Sequence, residues 1–136
     1  MEAAGDASSA VVWNESFEKS CNNRLARLLP IHADYFESLN QRTFDLMVPF
    51  KLDYVHPGFA GSTSIKKVLP VLCPELQYSK VTVHDGAGAM EAWAEMVNTD
   101  DSTTRERLRA ELLAYCHLDS LAMVEIFKRL STVAGL

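Results

Sequence analysis

Asp119 is the residue whose chemistry is most at odds with its position. It lies in the run Glu111–Leu130, where Leu108, Leu112, Tyr115, Ala122, Ile126 and Leu130 recur at helical spacing along one side. Asp119 follows Leu112 by seven residues and precedes Ile126 by seven, so its carboxylate shares that apolar side. A carboxylate drawn out of water needs hydrogen bonds, a cation or a metal to compensate it. Tyr115, one turn earlier, directs its phenol the same way. Two readings are open. Either the helix breaks near Cys116-His117 and Asp119 is the N-cap of a second helix, or Asp119 is a metal ligand partnered by Tyr115.

A second acid draws notice for its place. Asn14-Glu-Ser-Phe17-Glu18 follows the apolar run Ala10-Val-Val-Trp13 and opens a helical pattern. Glu18 in the first turns suits the helix dipole. It equally suits the carboxyl end of a strand, where ligands of α/β sheets bind. Lys66 is a candidate phosphate contact or a member of a solvated face. His56, His84 and His117 have no metal-like spacing with a cysteine and read as loop or surface groups. Asp85-Gly86-Ala-Gly88 is a poor phosphate loop and reads better as a turn and helix start. Asp45 reads as a cap or turn anchor, and Trp13 and Trp93 as core.

The elements that must position these groups are mostly helical. Residues 1–9 are small and polar and read as a disordered tail, with the folded part over 10–136. Ala10–Trp13 predicts a short buried strand, and Glu15–Leu29 a helix capped by Asn14 and ended by Pro30. A short helix capped by Asp34 carries Tyr35, Phe36 and Leu39. Arg42–Leu46 is a second candidate strand. Ser62 or Ser64 caps a helix over Ile65–Leu69 that Pro70 stops. Val71–Gly86 is irregular, with an extended piece at Lys80–Val83. Ala89, Met90, Trp93, Met96 and Val97 outline another helix. Asn98–Ser102 is a polar turn, after which Thr103 and Glu106 form a capping box for the last helical region. One clear strand and two doubtful ones do not make a self-sufficient sheet. The expectation is the C-terminal part of a larger α/β domain, with the rest upstream in the same polypeptide and an exposed edge that invites self-association.

The totals narrow the class. The 136 residues suit one domain with a core, and 48% hydrophobic with 23% charged residues is ordinary for a soluble globular chain. There is no membrane-spanning run and no secretion signal. The odd, widely spaced Cys21, Cys73 and Cys116 read as reduced, buried thiols in a cytoplasm. A net charge of −5 argues against passive coating by nucleic acid but leaves room for contact through divalent cations.

Asn14-x-x-Phe17-Glu18 after a strand, with Tyr115-x-x-x-Asp119 on a late helix, resembles the second and third motifs of DnaQ-like exonucleases of the DEDD type. Gly61-Ser-Thr-Ser-Ile-Lys-Lys-Val-Leu-Pro70, Tyr78, Asp85-Gly86 and Leu113–Met123 resemble an uncharacterised bacterial domain family similar to the ribonuclease H-like YprB exonucleases. The likeness runs from about Val11 to Leu130. It implies an incomplete ribonuclease H-like fold and two-metal phosphodiester hydrolysis of DNA or RNA. Glu18 and Asp119 would hold Mg²⁺ or Mn²⁺, Tyr115 would orient the water, and Asn14 and Lys66 would contact substrate. Two departures stand out: no Asp-x-Glu first motif occurs in the sequence, and Glu18 replaces the usual Asp. The expectation is a chain inactive by itself, or else a non-catalytic interaction or nucleic-acid-binding module of a larger protein.

Overall fold

The computed structural model describes residues 9–76, 78, 82, 83 and 85–135. Residues 1–8 of the tail expected over 1–9, His84, and Lys80 and Val81 of the extended piece lie outside them. The chain is a mixed α/β, helix-rich fold that divides into two compact units, Met1–Pro57 and Gly58–Leu136.

The first unit is a parallel crossover. Strand β1 (Ala10–Val12) pairs in parallel with β2 (Thr43–Asp45), with Ala10 opposite Thr43, Val11 opposite Phe44 and Val12 opposite Asp45. Parallel strands require a long connection, and helices α1 (Glu15–Leu28) and α2 (Ala33–Gln41) supply it, packed on each other. Amide side chains join them: Asn22 Nδ2 donates to Asn40 Oδ1, and Asn40 Nδ2 to Asn23 Oδ1, both at 2.9 Å. Pro30 ends α1 as expected and starts a 3₁₀ turn through His32. Because α2 already begins at Ala33, Asp34 sits in its first turn instead of capping it. A short helix α3 (Val48–Leu52) follows β2, with Phe50 buried and its ring 5.5 Å from that of the half-buried Trp13.

Both expected strands exist, but β1 is not buried. A two-stranded ribbon cannot enclose itself, and the register partners Val11 and Phe44 are 38% and 48% exposed. The helical side of α1 is open too, with Phe17 and Leu28 exposed.

The second unit is built on one helix. Helix α6 runs unbroken from Ser102 to Ala134, about 50 Å at ~1.5 Å per residue. Helices α4 (Ile65–Leu72) and α5 (Gly86–Asn98) pack on it. Val83, Ala92 and Leu108 form a core cluster that Ala89, Met96, Leu112 and Tyr115 extend. Toward the other end, Ala122 and Ile126 are fully buried, and Arg129 reaches Glu75 at 3.5 Å.

Three local expectations change here. Pro70 lies inside α4, because the loss of one backbone donor is tolerated where Cys73 N–H still closes the last turn on the Leu69 carbonyl. The cap of α6 is Asp101, whose carboxylate accepts from the backbone N–H groups of Thr103 and Thr104, so Thr103 lies within the first turn. Trp93 is 57% exposed, since α5 turns Ala89, Ala92 and Met96 toward α6. No helix among the described residues is long and apolar enough to cross a membrane.

Candidate functional site

The unbroken α6 removes the capping role for Asp119: mid-helix, its backbone neighbours are already bonded to one another. Cys116 and His117 do not interrupt the helix, because both face solvent, where polar groups cost little. Asp119 is half-buried on the side that carries Leu112, Ala122 and Ile126, as its spacing required.

Phenols compensate the carboxylate. Tyr78, 6% exposed, donates its hydroxyl to Asp119 Oδ1 at 2.5 Å, within the range of a charge-assisted O–H···O⁻ bond. The rings of Tyr78 and Tyr115 lie 6.3 Å apart at 52°. Burial, and then the neighbouring Asp119, push the Tyr78 phenol far above the usual tyrosine range. Tyr115 is pushed up to about 12, first by burial and then by the charge of Asp119 and a hydrogen bond to it. Both phenols therefore remain protonated donors at neutral pH, and the carboxylate accepts. Sequence reading pairs Tyr115 with Asp119 but gives Tyr78 no role. The available signal is that a buried tyrosine hydroxyl needs a partner.

The other candidates lie apart from this cluster in the sequence. In the first unit, Glu18 is half-buried in the opening turn of α1, its N–H bonded to the Asn14 carbonyl. Asn14 occupies the N-cap position in a left-handed conformation (φ 74°) without a capping bond from its side chain, which accepts instead from the Ser16 hydroxyl at 2.8 Å. Asp45 does the capping. Its carboxylate accepts from the N–H groups of Asn14 and Glu15, each at 3.1 Å, and of Met47 at 2.9 Å, so the anchor expected there is real. In the second unit, Lys66 is half-buried in the first turn of α4.

Asp85 accepts from Gly88 N–H at 2.7 Å and so caps α5, as the turn reading has it. An open cleft of about 350 Å³ beside it is lined by Asp85 and Glu91 as well as Thr82 and Gly88, and two carboxylates disfavour a phosphate. Of the thiols only Cys73 is buried; Cys21 is half-buried and Cys116 exposed, because the latter lies on the outer side of α6. His56 and His117 are exposed, as expected of surface groups.

For a hard divalent cation the oxygen donors at Asp119 are right in kind and short in number. Among the described residues no three His, Cys, Asp or Glu side chains come together as a metal-holding group. Asp119 supplies one carboxylate, and one of its oxygens is engaged by Tyr78.

No curated protein and no solved structure matches the chain. Residues 1–64, just under half of its length, match the model of a family described as a domain of unknown function, DUF2779, a stretch that includes Asn14, Glu18 and Asp45 and stops short of Tyr78, Tyr115 and Asp119.

Proposed function

We propose that this chain carries the second and third acidic motifs of a two-metal, ribonuclease H-like nuclease domain of the DEDD type, and that it does not cleave nucleic acid by itself. The carrying observation is the continuity of α6 through Cys116-His117, which makes Tyr115 and Asp119 a phenol–carboxylate pair one turn apart. A second support is the placement of Glu18 in the first turn of the helix that directly follows a parallel strand.

In this reading Glu18 and Asp119 contribute carboxylates to Mg²⁺ or Mn²⁺, and Tyr115, protonated at neutral pH, offers a hydroxyl that fixes the direction of a water or phosphate oxygen. The bound ions would polarise the phosphodiester and activate water. Two carboxylates fall short of the set that two cations about 4 Å apart require, so inactivity of the chain alone follows from the ligand count. Asn14 and Lys66 are the substrate contacts this reading assigns.

The test is digestion of single-stranded DNA and RNA with Mn²⁺, comparing this chain with one extended upstream by a first-motif segment. Cleavage by the extended chain alone, lost in Asp119→Asn, is the expected result. Cleavage by the short chain that depends on Asp119 would mean the ligands are misassigned, and an inert extended chain would remove the nuclease reading.

The alternative, a non-catalytic interaction module, is favoured by one observation: Tyr78 occupies an oxygen of Asp119, which gives the acid a structural duty. Under it, Asp119→Asn changes stability and leaves any nucleic-acid affinity of the extended chain intact.

A further inference from the structure

A carboxylate that is to act as a ligand has to be held as well as compensated. A mid-helix aspartate has more than one allowed rotamer, and each one it samples dilutes the orientation that a ligand needs. Two phenols bind Asp119, and they differ in how they are held. Tyr115 is half-buried on the same helix, one turn away, and moves with it. Tyr78 is buried and belongs to the connection between α4 and α5. Its hydroxyl therefore ties Asp119 to a segment 41 residues away, outside α6.

The carboxylate keeps capacity beyond these two bonds. An ionised carboxyl group has about four lone-pair sites. The Tyr78 hydroxyl takes one, on Oδ1, and the Tyr115 hydroxyl takes another. About two remain, enough for one contact with a hard cation. A donor on the carboxylate has two opposed effects on such a contact: it draws off part of the negative charge, and it fixes the ligand. The second is the larger, since loss of an outer hydrogen-bond partner typically weakens metal affinity by roughly 10–100-fold.

We infer that Tyr78 is the positioning residue of Asp119: its buried hydroxyl holds the carboxylate in one rotamer and thereby sets the affinity of the remaining lone pairs for a hard divalent cation. This rests on the reading of Asp119 as a cation ligand, and it adds to that reading a residue from outside the Tyr115-x-x-x-Asp119 motif. A Tyr78 that merely stabilised the fold would leave cation affinity unchanged, and one that merely obstructed Asp119 would lower it.

The experiment titrates the full, isotope-labelled chain with Mn²⁺ and follows paramagnetic broadening of the amide NMR signals around Asp119, which registers a weakly held ion without any activity. Broadening centred on Asp119 is expected in the unmodified chain, and Asp119→Asn should abolish it. Tyr78→Phe should need roughly tenfold more Mn²⁺ for the same broadening, with its amide spectrum and circular dichroism showing that it stays folded. A second measurement needs no variant. With Mg²⁺ added to the unmodified chain, the Tyr78 hydroxyl proton should stay protected from exchange, because its bond to Asp119 persists beside the ion. An equal or tighter Mn²⁺ response in Tyr78→Phe, or a Tyr78 hydroxyl that exchanges faster as Mg²⁺ is added, overturns the positioning role and leaves Asp119 a ligand. Broadening that is absent, or that survives Asp119→Asn, removes the ligand reading itself and this inference with it.

Discussion

Replacing Tyr78 by Phe deletes one hydroxyl and leaves the ring, so its effect isolates the bond to Asp119. A hydrogen bond to a charged group contributes about 1.5–3 kcal/mol. Asp119 is half-buried, so water replaces part of the lost donor, and the lower end, about 1.5 kcal/mol, is the expected destabilisation. Asp119→Ala should cost more, about 2–3 kcal/mol, because it strands the hydroxyl of a tyrosine that is only 6% exposed. Asp119→Asn keeps an acceptor and loses only the charge assistance, about 1 kcal/mol. Urea denaturation of the two single variants and the double variant, followed by far-UV circular dichroism because α6 dominates that signal, should give a coupling of about 1–2 kcal/mol. Additivity of Tyr78→Phe and Asp119→Ala to within about 0.5 kcal/mol would mean that the two groups do not share a bond in solution, and the account of how α6 tolerates a carboxylate on its apolar side would fall with it.

Asp45→Ala should destabilise the first unit by about 2 kcal/mol, since three backbone N–H groups lose a common acceptor, and amide hydrogen exchange in α1 should accelerate near Glu15. Tyr115 ionises late: spectrophotometric titration should show its phenol changing near pH 12, and not near the ordinary tyrosine value of about 10. Its raised value means the folded state holds the proton more tightly. That contribution is therefore complete below about pH 10 and is lost as the pH climbs through about 12. Asp101 is held below the usual carboxylate range, first by the Thr104 hydroxyl and then by backbone N–H groups of Thr104 and Thr103. Its help to α6 is present above the unfolded value of about 3.9 and is lost as pH falls through its lower folded value, seen as fraying of Thr103 and Thr104 amides by NMR.

What was legible in the sequence was local chemistry. β-branched Val11-Val12 before a helical pattern, Pro30 after one, Asp85 ahead of Gly-Ala-Gly, and the i, i+7 relation of Asp119 to Leu112 and Ile126 each translate directly into the structure. The unbroken α6 was also there to be read, because no Gly or Pro occurs between Ser102 and Ala134. A tempting cap residue at Asp119 competes with that signal. Asp101 and Thr103 are two cap candidates two residues apart, and the stronger acceptor at the turn wins. Trp93 fails for a different reason. Both stripes of α5 fit the helical period, and close packing on α6 selects the side with small residues, whatever their hydrophobicity. The Tyr78–Asp119 bond spans 41 residues, and no periodicity encodes such a pairing.

The acceptor at the head of α1 has a consequence for the order of events in folding. Asp45 lies 31 and 30 residues beyond the amides it receives, so the start of a 14-residue helix is secured by a part of the chain synthesised later. Isolated helices of about 12–15 residues are marginal in water, and α1 in a nascent chain lacks that acceptor until β2 has been made and has paired with β1. Securing the first turn of α1 and pairing β2 with β1 therefore draw on the same closure of a loop of some thirty residues. A polypeptide released before Thr43 would lack both β2 and Asp45, so its α1 would fray from the first turn and the crossover would not form.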